Sequence, residues 1–522
     1  MKLSYLLEKI PATHVESIRG KNAIDDPEIT SIHLKAQDVK PNGLFIAIKG
    51  GKADGNDYID IAMEKGAAAI ITQTQIKKNA VIVQVENTRK ALSEISARFY
   101  DNPSEKLVII GITGTNGKTT TAYLIESILL QAGINVGVIG TINYRYAGKT
   151  FYHAMTTPES IDLQRILDEM LKNNISHVVM EVSSHAIDLN RINCCMLDIA
   201  VFTNLTQDHL DYHKNMDTYW QCKKKMFTEH LAASAKSNKA AVINCENQKG
   251  KELFQALDGR KISVGTDMSH TAHVSKLSYD LSGIKGSFSI PNGKFDFMSS
   301  LVGQHNAQNI ACATGVGIAL NIHPSIIKTG IEKVTFVPGR LEMINNAFSR
   351  YIYVDYAHTP DALEHVLSAL KLMSKKKLLC VFGCGGDRDK AKRPLMGGIA
   401  GKLCDLVIIT SDNPRTENPL SIIDNVAQGV TQVLPNHLSP SDINNYRQGL
   451  YEKKKGYVIE PDRKKAILLA VTVSTPEDTV IIAGKGHETY QIIGNKKIPF
   501  DDGKEARKAL QTVFCKTGKN NK

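Results

Sequence analysis

A buried-type run from Lys106 to Ile112 leads straight into Gly114-Thr115-Asn116-Gly117-Lys118-Thr119-Thr120, and a helical stretch follows from about Thr119 to Ala132. Few folds accept that order. A strand that ends in glycines and reopens as a helix belongs to a parallel sheet wrapped by helices, because the chain must cross back over the sheet before the next strand. The glycines let backbone N–H groups close around phosphate oxygens. The helix start adds its partial positive charge. Lys118 can reach terminal phosphates, and a threonine hydroxyl, Thr119 first, can ligand Mg²⁺. Ile112 stands where GxxxxGK[ST] has its first glycine, so the loop is a shorter variant of that pattern.

The rest of the chain keeps the same alternation. Strands at Val136–Ile139, His177–Glu181, Ile199–Asn204 and Ala240–Ile243 alternate with helices at 160–173 and 217–229. Residues 272 to 302 break the pattern with short strands and a Pro-Asn-Gly turn. Alternation resumes after Val337-Pro338-Gly339-Arg340: strands Tyr351–Tyr356, Leu378–Phe382, Leu406–Thr410 and Thr479–Ala483, helices 360–373, 394–403 and 419–432. No GxGxxG follows the first of these strands, which argues against a dinucleotide. The first hundred residues hold strands at 44–48, 67–71 and 81–85 and a helix at 88–100. With 522 residues and roughly 150 per domain, the expectation is an α/β protein of three domains. These are a smaller α/β N-terminal domain (1–103), a central P-loop parallel sheet wrapped by helices (104–337) and a C-terminal Rossmann-like domain (338–522).

Several function classes drop out. No run of 18 apolar residues suggests a membrane span, and charge breaks the first apolar run too early for a signal peptide. The nine cysteines have neither zinc-ribbon nor disulfide spacing, so they read as reduced thiols in the cytoplasm. The net charge is +11, but the lysines are scattered without interleaved aromatics. That suits acidic small molecules better than nucleic acid.

Around the loop, Glu181 closes a strand at the end of the sheet where ligands bind, a Mg²⁺ candidate against the alternative of a surface glutamate. Asp208-His209-Leu210-Asp211-Tyr212-His213 is either a metal site or a polar loop. On the helix at 217–229, about 100° per residue places Tyr219, Trp220, Cys222, Met226 and Phe227 on one apolar arc. Lys223 falls near its centre, Lys224 and Lys225 outside. A lysine there is paired, deprotonated or modified, unless it snorkels to water.

Taken together these segments resemble the Mur ligases, the ATP-dependent amide-forming enzymes of peptidoglycan synthesis. The resemblance adds Gly303–Asn309, Pro338–Glu342 and Val354–Pro360 and spans nearly the whole chain. It implies that ATP lies between the central and C-terminal domains, contacted by Gly114–Thr120, Asn309, Arg340 and Asp355. It implies catalytic roles for Lys118, Lys223 and His209. Metal would be held by Thr119, Glu181, His209 and a carbamylated Lys223. The nearest branch extends UDP-MurNAc-L-Ala-D-Glu by one amino acid. Leu34, Ala36, Ala53, Thr156, Thr157, Ser183 and Arg191 match its sugar-peptide contacts. Ala36 replaces the usual serine and offers no hydroxyl, and Leu189 replaces a frequent glutamine. Arg388, Asp412, Asn413, Pro414, Arg415, Gly484 and Glu488 match a pocket for meso-diaminopimelate, in which Arg415 can fork onto the carboxylate that lysine lacks and Glu488 can pair with an ammonium. The implied protein is a cytoplasmic monomer using ATP and Mg²⁺ on small-molecule substrates, without nucleic acid or membrane. The alternatives are the same ligation with L-lysine, another Mur or folylpolyglutamate-type ligase, a nucleic-acid-dependent ATPase, or a non-catalytic nucleotide binder.

Overall fold

A computed structural model describes residues 1–10, 12–16, 26–51, 53–439, 442–443 and 455–515. Contacts divide it into two compact units. The first comprises 1–273, 289–293 and 309–330; the second comprises 274–288, 294–308 and the chain from Ile331 on. The N-terminal and central sheets therefore share the first unit.

The N-terminal sheet has strands β1 (Ala12–Glu16), β2 (Ser31–His33), β3 (Gly43–Ile46), β4 (Ala67–Thr72) and β5 (Val81–Val85) in the order β1-β5-β4-β3-β2. All pairs are parallel except β1 with β5. The central sheet is built on β6 (Val108–Thr113), β7 (Val136–Ile139), β8 (Tyr144–Tyr146), β9 (Lys149–Phe151), β10 (His177–Glu181), β11 (Ile199–Phe202), β12 (Ala240–Asn244) and β13 (Lys261–Gly265). They run in the order β13-β12-β11-β6-β10-β7-β8-β9. β6, β7 and β10 to β13 are parallel; β8 and β9 form an antiparallel edge. Residues 108–113 read Val-Ile-Ile-Gly-Ile-Thr and are buried almost throughout, as a strand covered on both faces requires. β14 (Ala272–Asp280), β15 (Gly283–Ile290) and β16 (Gly293–Ser299) follow as three successive strands.

The second unit is wound on β17 (Glu342–Met343), β18 (Tyr351–Asp355), β19 (Leu378–Phe382), β20 (Leu406–Ile409), β21 (Gly456–Ile459) and β22 (Thr479–Ala483). Their order is β17-β18-β22-β19-β20-β21, parallel except at β17. A hairpin of β23 (Tyr490–Ile493) and β24 (Lys496–Pro499) follows β22.

Two differences from the sequence reading bear on the site. The expected helix at 217–229 is a helix over Met216–Lys225, capped by Asn215, followed by a π-helical turn over Met226–Leu231 that buries Met226, Phe227 and Leu231. Second, the helix Arg463–Val473 was not foreseen. Its first residue is fully buried, with Nε and Nη2 of Arg463 donating to Asp502 at 2.8 and 2.7 Å and Nη2 also to the Ala483 carbonyl at 3.0 Å. Removing one partner of such a pair strands the other charge in a low dielectric. Arg463→Met should therefore cost about 3–5 kcal/mol in denaturant unfolding. Arg463→Met with Asp502→Leu should cost much less, and an additive loss would contradict this account.

No described helix is long and apolar enough to cross a membrane. The eight cysteines from Cys194 to Cys404 are free thiols.

Candidate active site

β6 ends in the loop 114–117, and the helix Lys118–Gln131 starts directly after it. Gly114 and Gly117 have φ of +151° and +84°, conformations costly for any residue with a Cβ. A Cβ on Gly114 would also strike Thr203 Oγ1, and one on Gly117 would strike Asn309 Oδ1. The loop is held from behind β11: Thr115 N donates to the Asn204 carbonyl (3.0 Å), Asn116 N to Asn204 Oδ1 (2.9 Å) and Thr203 Oγ1 to the Asn116 carbonyl (2.7 Å). Thr115 Oγ1 lies 3.2 Å from the Tyr219 hydroxyl. Asn309 sits beside Gly117 and accepts from Thr121 Oγ1 at 3.5 Å. Thr119 and Thr120 are buried at the helix start.

Two lysines converge on one carbonyl. Lys118 Nζ donates to Gly114 O and Thr115 O, both at 2.8 Å, and Lys223 Nζ donates to Gly114 O at 2.9 Å. Lys223 is 1% exposed, so it does not snorkel. Its ammonium lies 4.5 Å from the centre of the Tyr219 ring. Desolvation first, and the charge of Lys118 second, push its pKa well below the ordinary lysine range.

Glu181 is 1% exposed, which removes the surface-glutamate alternative. Its Oε2 accepts from Thr119 Oγ1 (3.0 Å) and Thr141 Oγ1 (2.8 Å), and its Oε1 from Thr141 N (2.9 Å). Thr141 Oγ1 lies 3.2 Å from Thr156 Oγ1. Thr157 Oγ1 donates to the Glu181 carbonyl (2.9 Å) and accepts from Ser183 N (3.1 Å). Arg191 donates to the Thr157 carbonyl (3.1 Å) and pairs with Glu159 (2.9 Å). A continuous hydrogen-bonded path thus joins the phosphate loop to Thr156, Thr157, Ser183 and Arg191. Glu181 is the branch point, and Thr141, which the sequence reading passed over, carries the path on to Thr156.

Of the four expected metal donors, Thr119 and Glu181 are hydrogen-bonded to each other, and Lys223 is turned to Gly114 O. Among the described residues no group of three or more His, Cys, Asp or Glu is arranged to hold a metal. His209 is exposed, at φ +52°, its ring 5.0 Å from His185 and 6.1 Å from Tyr219. Unmodified Lys223 offers no oxygen donor, and the Lys118 ammonium beside it at Gly114 repels a cation. The pair Thr119 Oγ1 and Glu181 Oε2 does fit Mg²⁺, which prefers hard oxygen ligands.

In the N-terminal sheet Leu34 is half-buried and Ala53 exposed. Ala36 is 2% exposed and packs with Val39 and Phe45. Its methyl belongs to the core, so any ligand contact there is through backbone.

In the second unit Asp355 is buried at the end of β18. Its carboxylate accepts from Leu341 N and Ala357 N, both at 2.7 Å. Burial raises its pKa, opposed by Arg340, whose guanidinium stacks 4.9 Å from the Tyr356 ring centre. Beyond β20, Arg415 Nη1 donates to Gly386 O (2.8 Å) and lies 3.5 Å from Asn413 O. Asp412, Asn413 and Pro414 are buried, and Arg388 is exposed. Gly484, at φ +110°, turns the chain after β22. Glu488 does not wait unpaired for a substrate: Oε2 accepts from Asn413 Nδ2 (2.9 Å) and Lys485 Nζ (3.0 Å). Lys485 was missed by sequence reasoning. The available signal was its place directly after a parallel strand, where ligand-binding residues collect.

Residues 28–100 match the Mur ligase family catalytic domain, 112–317 the Mur ligase middle domain and 339–486 the Mur ligase glutamate ligase domain. The UDP-N-acetylmuramoyl-L-alanyl-D-glutamate--2,6-diaminopimelate ligase of Geobacter metallireducens is 42% identical over 493 residues, 94% of this chain and 95% of its own length. The protein of that name from Bacillus velezensis is 39% identical over 512 residues, 98% and 99% of the two chains. A solved structure of a ligase with this name aligns with a TM-score of 0.65 at 30% identity, over 93% of this chain and 95% of its own. MurF from Thermotoga maritima in complex with ADP shares the fold at 19% identity (TM-score 0.58, 93% and 98% covered). A strand-to-helix phosphate loop, a buried lysine above it and near full-length relatives together place the chain in the Mur ligase family.

Proposed function

We propose that the protein joins meso-diaminopimelate to the D-Glu γ-carboxylate of UDP-MurNAc-L-Ala-D-Glu, with ATP converted to ADP and phosphate, in cytoplasmic peptidoglycan precursor synthesis. The observation that carries this reading is the Thr119–Glu181–Thr141–Thr156 path. It couples a loop suited to a triphosphate to side chains suited to a carboxylate-bearing peptide. The names and extents of the relatives support the substrates.

In this reading the D-Glu carboxylate attacks the γ-phosphorus, giving an acyl phosphate and ADP. Loop N–H groups and the Lys118 ammonium leave their resting partners and neutralise charge on the transferring group. Mg²⁺, held by Thr119 and Glu181, would supply further positive charge to the phosphoryl oxygens. Lys223, favoured in its neutral form, adds CO₂ and loses a proton; the carbamate, with His209, would complete a second set of oxygen and nitrogen donors. The amine of diaminopimelate then attacks the acyl carbon, phosphate leaves with the bonding pair, and the amine sheds a proton to solvent.

Phosphate release from ATP and UDP-MurNAc-L-Ala-D-Glu, measured with meso-diaminopimelate and with L-lysine, tests the proposal. Release should require an amine and favour the first. Arg415→Ala should reduce kcat/KM for diaminopimelate roughly 10²-fold, the effect of losing a charge-assisted contact, with far less effect on lysine. Equal turnover of both amines by the parent enzyme would refute the selectivity.

A further inference from the structure

Lys485 lies in the turn between β22 and β23, and its side chain is wholly buried. An ammonium carries three protons, and this one meets three oxygens: Glu488 Oε2 (3.0 Å), Asn413 Oδ1 (3.2 Å) and Asp412 Oδ1 (3.3 Å). Asp412 and Glu488 each commit one oxygen to it. Asp412 Oδ2 and Glu488 Oε1 stay outside these contacts, on side chains 9% and 20% exposed. Arg415 stands on the other side of Asn413, through the Asn413 carbonyl.

These four charged side chains are two anions and two cations. Without Lys485, Asp412 and Glu488 would present to the far end of an amino-acid substrate two carboxylates that have lost their hydrogen-bonded cation, with only the field of Arg463, itself tied to Asp502, left to offset them. Such a site attracts a bare ammonium, as in lysine. With Lys485 in place one of those charges is cancelled from behind. A substrate end bearing both an ammonium and a carboxylate then matches what is left: carboxylate oxygens for the one, Arg415 for the other. We infer that Lys485 is a specificity-determining positioning residue, which selects a zwitterionic distal group over a simple ammonium by cancelling carboxylate charge from beneath the amine pocket. The inference rests on the amine selectivity proposed above, but places it on a residue that need not touch the substrate.

The test is kcat/KM for meso-diaminopimelate and for L-lysine in the full-length protein and in two variants of opposite charge sense. Lys485→Met should lower the diaminopimelate-to-lysine ratio at least about tenfold, chiefly through KM for diaminopimelate, while turnover of lysine holds or rises. Glu488→Gln, nearly isosteric and on the more exposed side chain, should raise the ratio. In Lys485→Met combined with Glu488→Gln the ratio should return toward the parent value, a reversal that mere loss of packing would not give. Equal losses with both amines in Lys485→Met, or an unmoved ratio in Glu488→Gln should Lys485→Met fail to fold, would overturn the inference. If the parent enzyme showed no preference between the amines, the proposed selectivity would fall first and this inference with it. A selective parent whose variants keep its ratio would sink this inference alone.

Discussion

Lys118→Met should lower amine-dependent phosphate release by about 10²–10³-fold, the loss seen when one preorganised donor to a developing anion is removed. The Lys118 ammonium donates to Gly114 O and Thr115 O at the mouth of the loop. It lies within one side chain's swing of any phosphate in the loop. Methionine keeps the stem and removes the charge, and the residue is only half-buried, so the fold should persist. Thermal unfolding of the variant, read beside its turnover, separates the two effects. Turnover within a fewfold of the parent would remove the loop from the chemistry.

Lys223→Ala should be as damaging to kcat, for a different reason. The buried amine is desolvated and faces Lys118, so at neutral pH it is biased toward the uncharged form, the form that attacks CO₂. The sign follows: a lowered pKa enlarges the neutral fraction as pH rises, so carbamate forms more readily at higher pH and is lost on acidification. Enzyme held in mildly acidic, CO₂-free buffer and returned to neutral pH should start slowly and recover faster with added bicarbonate. Nuclear magnetic resonance with ¹³C-bicarbonate should show one carbamate signal in the parent and none in Lys223→Ala. A parent indifferent to bicarbonate and without that signal would leave Lys223 a plain buried amine.

Both lysines could be picked out in the sequence, because each stood in a pattern with few readings. Lys118 follows a strand and glycines; Lys223 breaks an apolar arc at its centre. Glu181 was legible as the last residue of a strand. Other features were hidden by long-range or weak signals. Lys485 meets Asp412 and Asn413 across more than seventy residues, joined only because β20 and β22 point the same way in one sheet. The β8–β9 hairpin turns on Ala147 and Gly148, both at positive φ; Ala-Gly lacks the Asn-Gly or Asp-Gly signature of such a turn. The helix at Arg463–Val473 opens with Arg-Lys-Lys, cations where the helix dipole favours anions. The Asp462 cap on Lys464 N and Lys465 N, and the tie from Arg463 to Asp502, offset that. Ala36 matched a ligand position in register but faces the core.

The tie from Arg463 to Asp502 reaches beyond stability. Asp502 opens the helix Asp502–Leu510, while Arg463 grips the carbonyl of Ala483, one residue before Gly484 and two before Lys485. During synthesis residue 502 leaves the ribosome long after the phosphate loop has been made, since chains emerge and fold from the N-terminal end. A nascent or truncated chain lacking that helix has an Arg463 guanidinium without its hydrogen-bonded carboxylate, free to draw on the charge of Asp412 and Glu488 instead. Such a chain would bind nucleotide before it could ligate, so ribosome-stalled forms ending before residue 502 should retain the nucleotide without forming the amide.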